Sequence, residues 1–410
     1  MTEKTRVCFL VGSIAISGGT YVIFQHASHL QNSGYDVTLA VQEPFTETTA
    51  AWHDQGKSLR CIPFDQARAE AFDLVIATWW KTALELASFN APRYGYFVQS
   101  IESRFYPEHE RPLRALVDAT YRLPVSYITE AAWILQHLKH SFGQEASLVR
   151  NGIRKDIYTG TGPAATPRSA GNPRVLIEGH FNIAFKNTAL ALRLAKRAGA
   201  KDIWVMTGSP VKSLPGVSRV FSRIPIHKTP EIYRSCDILV KLSTVEGMFG
   251  PPLEIFHCGG TALVFDVTGY DEYIEDGMNA TVVRDRDIEQ VVAALRRMLS
   301  DRQHLETLKQ GAQATAATWP DWKHSSEMFA QWVENALVAP RANRESVVTL
   351  TKEAWSQYAT HEQQRLKQGR STVWRYKLKA ITRRMPTWVQ DRLVQLLTLK
   401  EVVFPPRKAS

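Results

Sequence analysis

The sequence predicts an α/β protein made of two doubly wound, parallel-sheet domains, and three observations carry that expectation. The chain has 410 residues, more than one ordinary core holds and enough for two domains of roughly 150 to 200 residues each. Short apolar runs alternate with stretches of helical periodicity, the signature of a parallel sheet with helices on both faces. Residues 159–173, "TGTGPAATPRSAGNP", read as a linker rich in Gly, Pro, Thr and Ala, after which the alternation restarts. The expected division is residues 1–158, the linker 159–173, residues 174–338, and a basic helical tail over 339–410.

In the first half, the strand signals are "RVCFLVGS", "DVTLAVQ", "FDLVIATW", "YGYFVQS", "VSYITE" and "ASLVRNG". Helical stretches fall at 20–32, 81–88, 109–121 and 130–141 between them. The second half runs through "RVLIEG", a helix at 187–199, "DIWVMTG", "SRVFSRI", a short helix near 230–235, and "DILVKLS". Helical patterns at 287–300, 302–315 and 321–337 follow, the last a candidate to cross back to the first domain. In doubly wound sheets, ligands bind beyond the carboxyl ends of the strands, so two such halves place a site in a cleft between them.

An apolar content of 44% and a charged content of 22% belong to a globular chain and exclude a disordered one. Cys8, Cys61, Cys236 and Cys258 are scattered, with no CxxC and no His/Cys cluster at metal spacing. A reducing cytoplasm fits them best. Lys4 and Arg6 before "VCFLVGSIAIS" imitate a signal peptide, but Gly18-Gly19 and a helical pattern follow directly, so the stretch reads as a first strand. No apolar run approaches the ~18 residues that a membrane-spanning helix requires. Net charge is +10, and the whole excess lies after residue 364, where 12 Lys and Arg face 2 acidic residues. A nucleic-acid partner is not expected, because the basic residues are confined to one segment. Interleaved Trp374, Tyr376, Trp388, Leu393, Leu396, Leu397 and Phe404 suit an anionic membrane surface, with a helix packed on the protein's own domains as the competing reading.

The stretch "STVEGMFGPPLEIFHCGG", residues 243–260, follows the buried strand "DILVKLS". Gly247 and Gly250 let backbone approach a ligand, and Pro251 or Pro252 suits the first turn of a helix. Free N–H groups at that helix start attract phosphate. Glu246 in the loop can accept hydrogen bonds from hydroxyls, and Glu254, about one turn into the helix, can reach a diol on the same ligand. A phosphate flanked by two polyol binders describes a nucleotide sugar.

"EGMFGPPLE" resembles the Glu-x7-Glu signature of the retaining family 4 glycosyltransferases, whose GT-B architecture is two Rossmann-like domains with a deep cleft. The resemblance runs from about residue 6 to 338 through Gly18-Gly19, "HKTPEIYRSCDILVKLSTVEG", "VRNGIR" and "EDGMNATVV". "YGYFVQSIESRFYPE" with "ATYRLPVSYIT" is similar to a narrower branch that adds L-rhamnose to bacterial cell-surface glycans.

The resemblance implies that Glu246 binds donor sugar hydroxyls, that backbone at Phe249 and Gly250 lines the sugar and phosphate pocket, and that Glu254 holds the ribose. It also implies an Arg and a Lys after the first strand of the second domain, to meet charge on the leaving diphosphate. "IEGHFNIAFKNT" keeps Lys186 but has no Arg, leaving His180 or Asn182 as a partial replacement. Gly18 and Gly19 are expected at the diphosphate or acceptor side, and Gln99, Glu102 and Arg104 are acceptor-side candidates. No metal and no cofactor are implied; the nucleoside-diphosphate sugar is a co-substrate. The function so implied is metal-independent transfer of a hexose to a surface polysaccharide or lipid-linked glycan, with retention. A non-catalytic GT-B sugar-binding or scaffold subunit of an assembly complex is the alternative. An NAD-dependent oxidoreductase would need a G-x-G-x-x-G turn, which "GSIAISGG" does not supply.

Overall fold

The structure, a computed structural model, describes residues 4–169, 171–368 and 385–403. It separates into two compact units. The first contains the chain up to Gly152 and again from Pro320 through the Arg344–Lys367 helix; the second contains Ile153–Trp319 and the terminal Thr387–Val403 helix.

The first unit is built on a seven-stranded sheet of β1 (Arg6–Val11), β2 (Asp36–Val41), β3 (Arg60–Pro63), β4 (Leu74–Ala77), β5 (Tyr94–Val98), β6 (Ser126–Thr129) and β7 (Ala146–Leu148). Every pairing is parallel, in the order β3-β2-β1-β4-β5-β6-β7. The second unit has six parallel strands, β8 (Val175–Glu178), β9 (Ile203–Thr207), β10 (Arg219–Ser222), β11 (Ile238–Lys241), β12 (Thr261–Phe265) and β13 (Ala280–Val283), ordered β10-β9-β8-β11-β12-β13. Helices cover both faces of such sheets, so the central strands are buried on two sides and read as apolar runs. Val7 to Leu10, Leu74 to Ala77 and Ala262 to Val264 are all fully buried. Strand order reverses between β1 and β4 in one sheet and between β8 and β11 in the other. Those are the switch points where loops diverge and a ligand can enter.

Three differences from the sequence expectations have local causes. Edge strand β3 carries only Cys61 and Ile62 as apolar residues, too few to show a strand pattern. The segment expected as a free linker is held against the second unit. Arg168 alone donates to the carbonyls of Cys236, Cys258 and Gly259, and Ala165 N–H donates to Glu231. The chain changes units at Gly152 instead, where a Cβ would lie 2.3 Å from the backbone of Asp321 on the returning segment.

The Trp322–Val338 helix belongs to the first unit, not to the 174–338 domain, because its aromatic face completes the first core. Phe329 stacks on His26 with ring centres 4.2 Å apart, and Trp322 donates to the Tyr21 hydroxyl at 2.8 Å. Burial pushes the His26 imidazole down to about 3, so it packs as a neutral aromatic ring. The terminal helix packs on the second unit, with Thr398 and Val402 buried and Arg223 paired to Asp391. Trp374, Tyr376 and Phe404 lie outside the described residues.

Candidate functional site

Two loops at the β8/β11 switch point build the site. After β8, a short turn at Ala184–Lys186 ends on Asn187, in the left-handed region at φ 49°. Asn187 Nδ2 donates to the Leu242 carbonyl at 3.0 Å, and Thr244 N–H donates to the Phe185 carbonyl at 2.8 Å. These two bonds staple the loop after β8 to the loop after β11. Lys186 Nζ is thereby brought to both oxygens of Glu246, at 2.8 and 2.7 Å.

Glu246 is 8% exposed. Burial would raise its pKa, but the charges of Lys186 and Lys241 outweigh burial and hold the carboxyl below its ordinary range. It is therefore an ionised hydrogen-bond acceptor at neutral pH. Helix Gly250–His257 starts four residues later, with prolines in its first turn. A Cβ on Gly250 would meet no protein atom within 4 Å, so the helix start is open on that side. Gly247 lies in the loop between Glu246 and Phe249. Phe249 points its side chain into the core and accepts a hydrogen bond from the Tyr273 hydroxyl on its carbonyl, which fixes the backbone at the helix entrance.

Glu254 lies on that helix beside Tyr233 and Tyr158, and Tyr158 is itself tied to Thr229 at 2.7 Å. Burial, with the nearby Glu178 charge, raises Glu254 to about 7, while hydrogen bonds from the two tyrosines oppose the rise. Glu254 therefore takes up a proton far more readily than Glu246.

The two residues expected to replace the missing Arg do different work. His180 packs against Gly208, where a Cβ would come within 2.2 Å of its ring. Burial lowers its pKa, so it is neutral at pH 7 and brings hydrogen-bonding capacity without charge. Asn182 turns away: at φ 64° its side chain donates to Thr398 of the terminal helix at 3.1 Å. The added cation is Lys241, the last residue of β11, 2% exposed. Its Nζ lies 2.5 Å from Glu178 at the end of β8 and 3.7 Å from Glu246. Sequence reasoning passed over this pair, although a lysine inside the apolar run "DILVKLS" was a signal, since a buried lysine is nearly always paired.

In the first unit, Gly18 and Gly19 begin the Gly18–Asn32 helix, capped by Ser17, which accepts from Thr20 N–H at 3.1 Å. A Cβ on Gly19 would sit 3.2 Å from the Gln99 side chain, so Gln99 and the glycine turn are neighbours. Glu102 does not point outward as an acceptor-side residue would. It is 7% exposed and accepts from Trp80 N–H at 2.7 Å, and its own N–H donates to the Tyr121 hydroxyl. Burial pushes it up to about 8, so it holds a proton at neutral pH and anchors its loop. Arg104 lies over the Trp133 ring at 4.9 Å.

The architecture is that of the GT-B glycosyltransferase fold. It aligns with sucrose-phosphate synthase from Thermosynechococcus elongatus (TM-score 0.62, 15% identity, covering 81% of this chain and 99% of that one). Anabaena Alr3699/HepE, solved in complex with UDP and glucose, aligns with TM-score 0.63 at 15% identity, covering 81% of this chain and 100% of that one. WaaG, a glycosyltransferase involved in lipopolysaccharide biosynthesis, aligns with TM-score 0.62 at 15% identity, covering 79% and 98%. Within that fold, residues 213–315, which include the Glu246–Glu254 segment, match the family described as glycosyl transferases group 1. The chain is also 25% identical over 213 residues to the O-antigen biosynthesis protein RfbC of Myxococcus xanthus. That match takes in 50% of this chain and 16% of the much longer relative.

Proposed function

We propose that this chain is a retaining glycosyltransferase that moves a hexose from a nucleoside diphosphate to a bacterial surface polysaccharide or lipid-linked glycan. The observation that carries the reading is the union of Lys186 and Glu246 on two stapled loops, with Glu254 on the helix that follows. Glu246 holds sugar hydroxyls, Glu254 holds the ribose, and Lys186 with the N–H groups at the start of the Gly250 helix meets the diphosphate.

In the transfer, the bond from the anomeric carbon to the phosphate oxygen breaks, and an acceptor hydroxyl oxygen bonds to the same face of that carbon. The hydroxyl proton passes to the departing diphosphate, whose negative charge Lys186 neutralises without a metal. The group 1 match and the O-antigen biosynthesis relative support the class of reaction and a surface-glycan acceptor. L-rhamnose from dTDP is the first donor to test, on the resemblance of "YGYFVQSIESRFYPE". The enzyme works in the cytoplasm, peripherally on the inner membrane face. That location is supported by the charge excess after residue 364 and by Trp388, Leu396 and Leu397 standing 69%, 60% and 53% exposed on the terminal helix.

The test is thermal-shift screening against UDP, dTDP and GDP and their sugars, followed by transfer assays in EDTA. A ligand at 100 times its Kd adds about 2.7 kcal/mol of stability and a clear shift. No shift with any nucleotide would overturn the donor-site reading. Activity lost in EDTA and restored by Mg²⁺ would overturn only its metal independence.

A further inference from the structure

Lys241 closes a row of alternating charges, Glu178–Lys241–Glu246–Lys186, along the ends of β8 and β11. Two of its members are almost wholly inside the protein: Lys241 is 2% exposed and Glu246 8%. Lys186, by contrast, has a side chain 22% exposed, more accessible than Lys241. A diphosphate can reach Lys186, and once Lys186 turns to phosphate, Glu246 loses both of the hydrogen bonds that Lys186 gives it. A carboxylate so deeply buried is pushed toward protonation as cationic partners are withdrawn from it. Protonated, it would lose the charge-assisted acceptance of sugar hydroxyls that its role demands.

We propose that Lys241, held in place by Glu178, is a positioning residue that keeps Glu246 ionised while Lys186 is engaged by the diphosphate. It does not replace the absent Arg at the diphosphate, because it is buried and paired with Glu178; its part is to hold the charge of Glu246 from the sheet. The inference rests on reading Glu246 as the donor-site carboxylate. Lys241 can serve because it cannot leave: its stem is buried in β11, and its Nζ is shared between Glu178 and Glu246. The other charged and titratable groups facing this row include Glu254 from the Gly250 helix, His180 beside the β8 end, Arg223 beyond β10 and the Tyr233 and Tyr273 hydroxyls. Of these, Glu254 and the tyrosines bring no positive charge, His180 is kept neutral by burial, and Arg223 is engaged by Asp391, so none of them takes the place of Lys241.

The arrangement can be tested without any ligand, because Lys186→Met imitates the withdrawal of Lys186 from Glu246. Protein labelled with carbon-13 at the glutamate carboxyls is titrated by NMR, with the Glu246 signal assigned by its loss in Glu246→Gln. In Lys186→Met, Glu246 should still titrate within or below the ordinary carboxylate range. In Lys186→Met/Lys241→Met it should titrate at least about one unit higher, a tenfold change in proton affinity. Equal titration in the two variants overturns the proposal. If Lys241→Met alone prevents folding by leaving Glu178 unpaired, Glu178→Gln is added to remove both charges of the pair, and the same shift is expected. In a second arm, binding of UDP, dTDP and GDP and of UDP-glucose, dTDP-rhamnose and GDP-mannose to the unmodified protein and to Lys241→Met is measured by calorimetry between pH 5 and 8. As pH falls, the variant should lose affinity, for whichever nucleotide sugar binds, at a higher pH than the unmodified protein does, and affinity for the matching nucleoside diphosphate should change less. Failure of the unmodified protein to bind any nucleotide counts against the donor-site reading alone, while the titration still decides the role of Lys241. Identical pH profiles for the two proteins count against Lys241.

Discussion

Glu246 and Glu254 carry the same functional group eight positions apart, yet their surroundings push them in opposite directions. Lys186 and Lys241 hold the first ionised against the cost of burial, whereas burial and the Glu178 charge raise the second to about 7 despite hydrogen bonds from its two tyrosines. If Glu246 contacts the reacting sugar and Glu254 the ribose, Glu246→Ala should lower kcat more than it weakens nucleotide binding, and Glu254→Ala should do the reverse. Steady-state kinetics paired with calorimetry on both variants separates them, and unmodified transfer rates in both would remove the assignment. Glu254 also makes a pH prediction. Its folded pKa lies above its unfolded one, so between about pH 4.5 and 7 the folded protein binds a proton that the unfolded chain does not. Its contribution to stability is therefore greatest below that window and falls as pH rises through it. Glu254→Gln should remove this slope, flattening the loss of stability between pH 5 and 8 by about 1–3 kcal/mol relative to the unmodified protein. Urea unfolding at the two pH values measures the difference; an unchanged slope would mean that Glu254 titrates normally.

At the scale of elements, the Trp322–Val338 helix is the one whose place matters most to the first unit. Its Phe329 ring is fully buried among His26, Phe9, Phe97 and Trp332. Phe329→Ala should cost about 3–5 kcal/mol, because a ring enclosed on all sides leaves a cavity that its neighbours cannot close. Calorimetry should show the loss in the unfolding of the first unit, and a change below about 1 kcal/mol would mean that the helix contributes little to that core. The helix is strongly periodic in sequence, so its existence was legible. That it crosses back to the first domain was also expected, but which side chains it meets there was not, since His26 and Tyr21 lie about three hundred positions earlier in the Gly18–Asn32 helix. The edge strand β3 presents the opposite case: two apolar residues say almost nothing locally, and pairing with β2 makes it a strand.

For the whole molecule, the question is what the basic C-terminal segment does. The terminal helix rests on the second unit through Val402, Thr398 and the Arg223–Asp391 pair, yet keeps Trp388, Leu396 and Leu397 on its surface. Such a helix can be anchored on one side and offer apolar and basic groups on the other. Each Lys or Arg near an anionic membrane adds about 1 kcal/mol, and that attraction is screened over ~8 Å at physiological salt. The full chain should therefore pellet with anionic vesicles at low salt, pellet less with neutral ones, and be partly released as salt rises. Trp388→Glu/Leu396→Glu in the full chain, which leaves Val402 and Thr398 in place, should reduce pelleting while leaving nucleotide binding intact. Equal pelleting of the two proteins would assign the segment to another role.

The sequence by itself determined the two doubly wound halves, the loop with Glu246, the helix with Glu254 and the presence of Lys186. Each depends on periodicity or spacing within one short stretch, where backbone geometry follows from local residue type. Tertiary structure alone decided that Lys241 pairs with Glu178 beside Glu246, which carboxyl stays ionised, that Asn182 serves the terminal helix, and that Glu102 turns inward. Charge state depends on burial and on neighbours brought in by strand order: Glu178 and Lys241 are 63 residues apart, and only the adjacency of β8 and β11 makes them a pair.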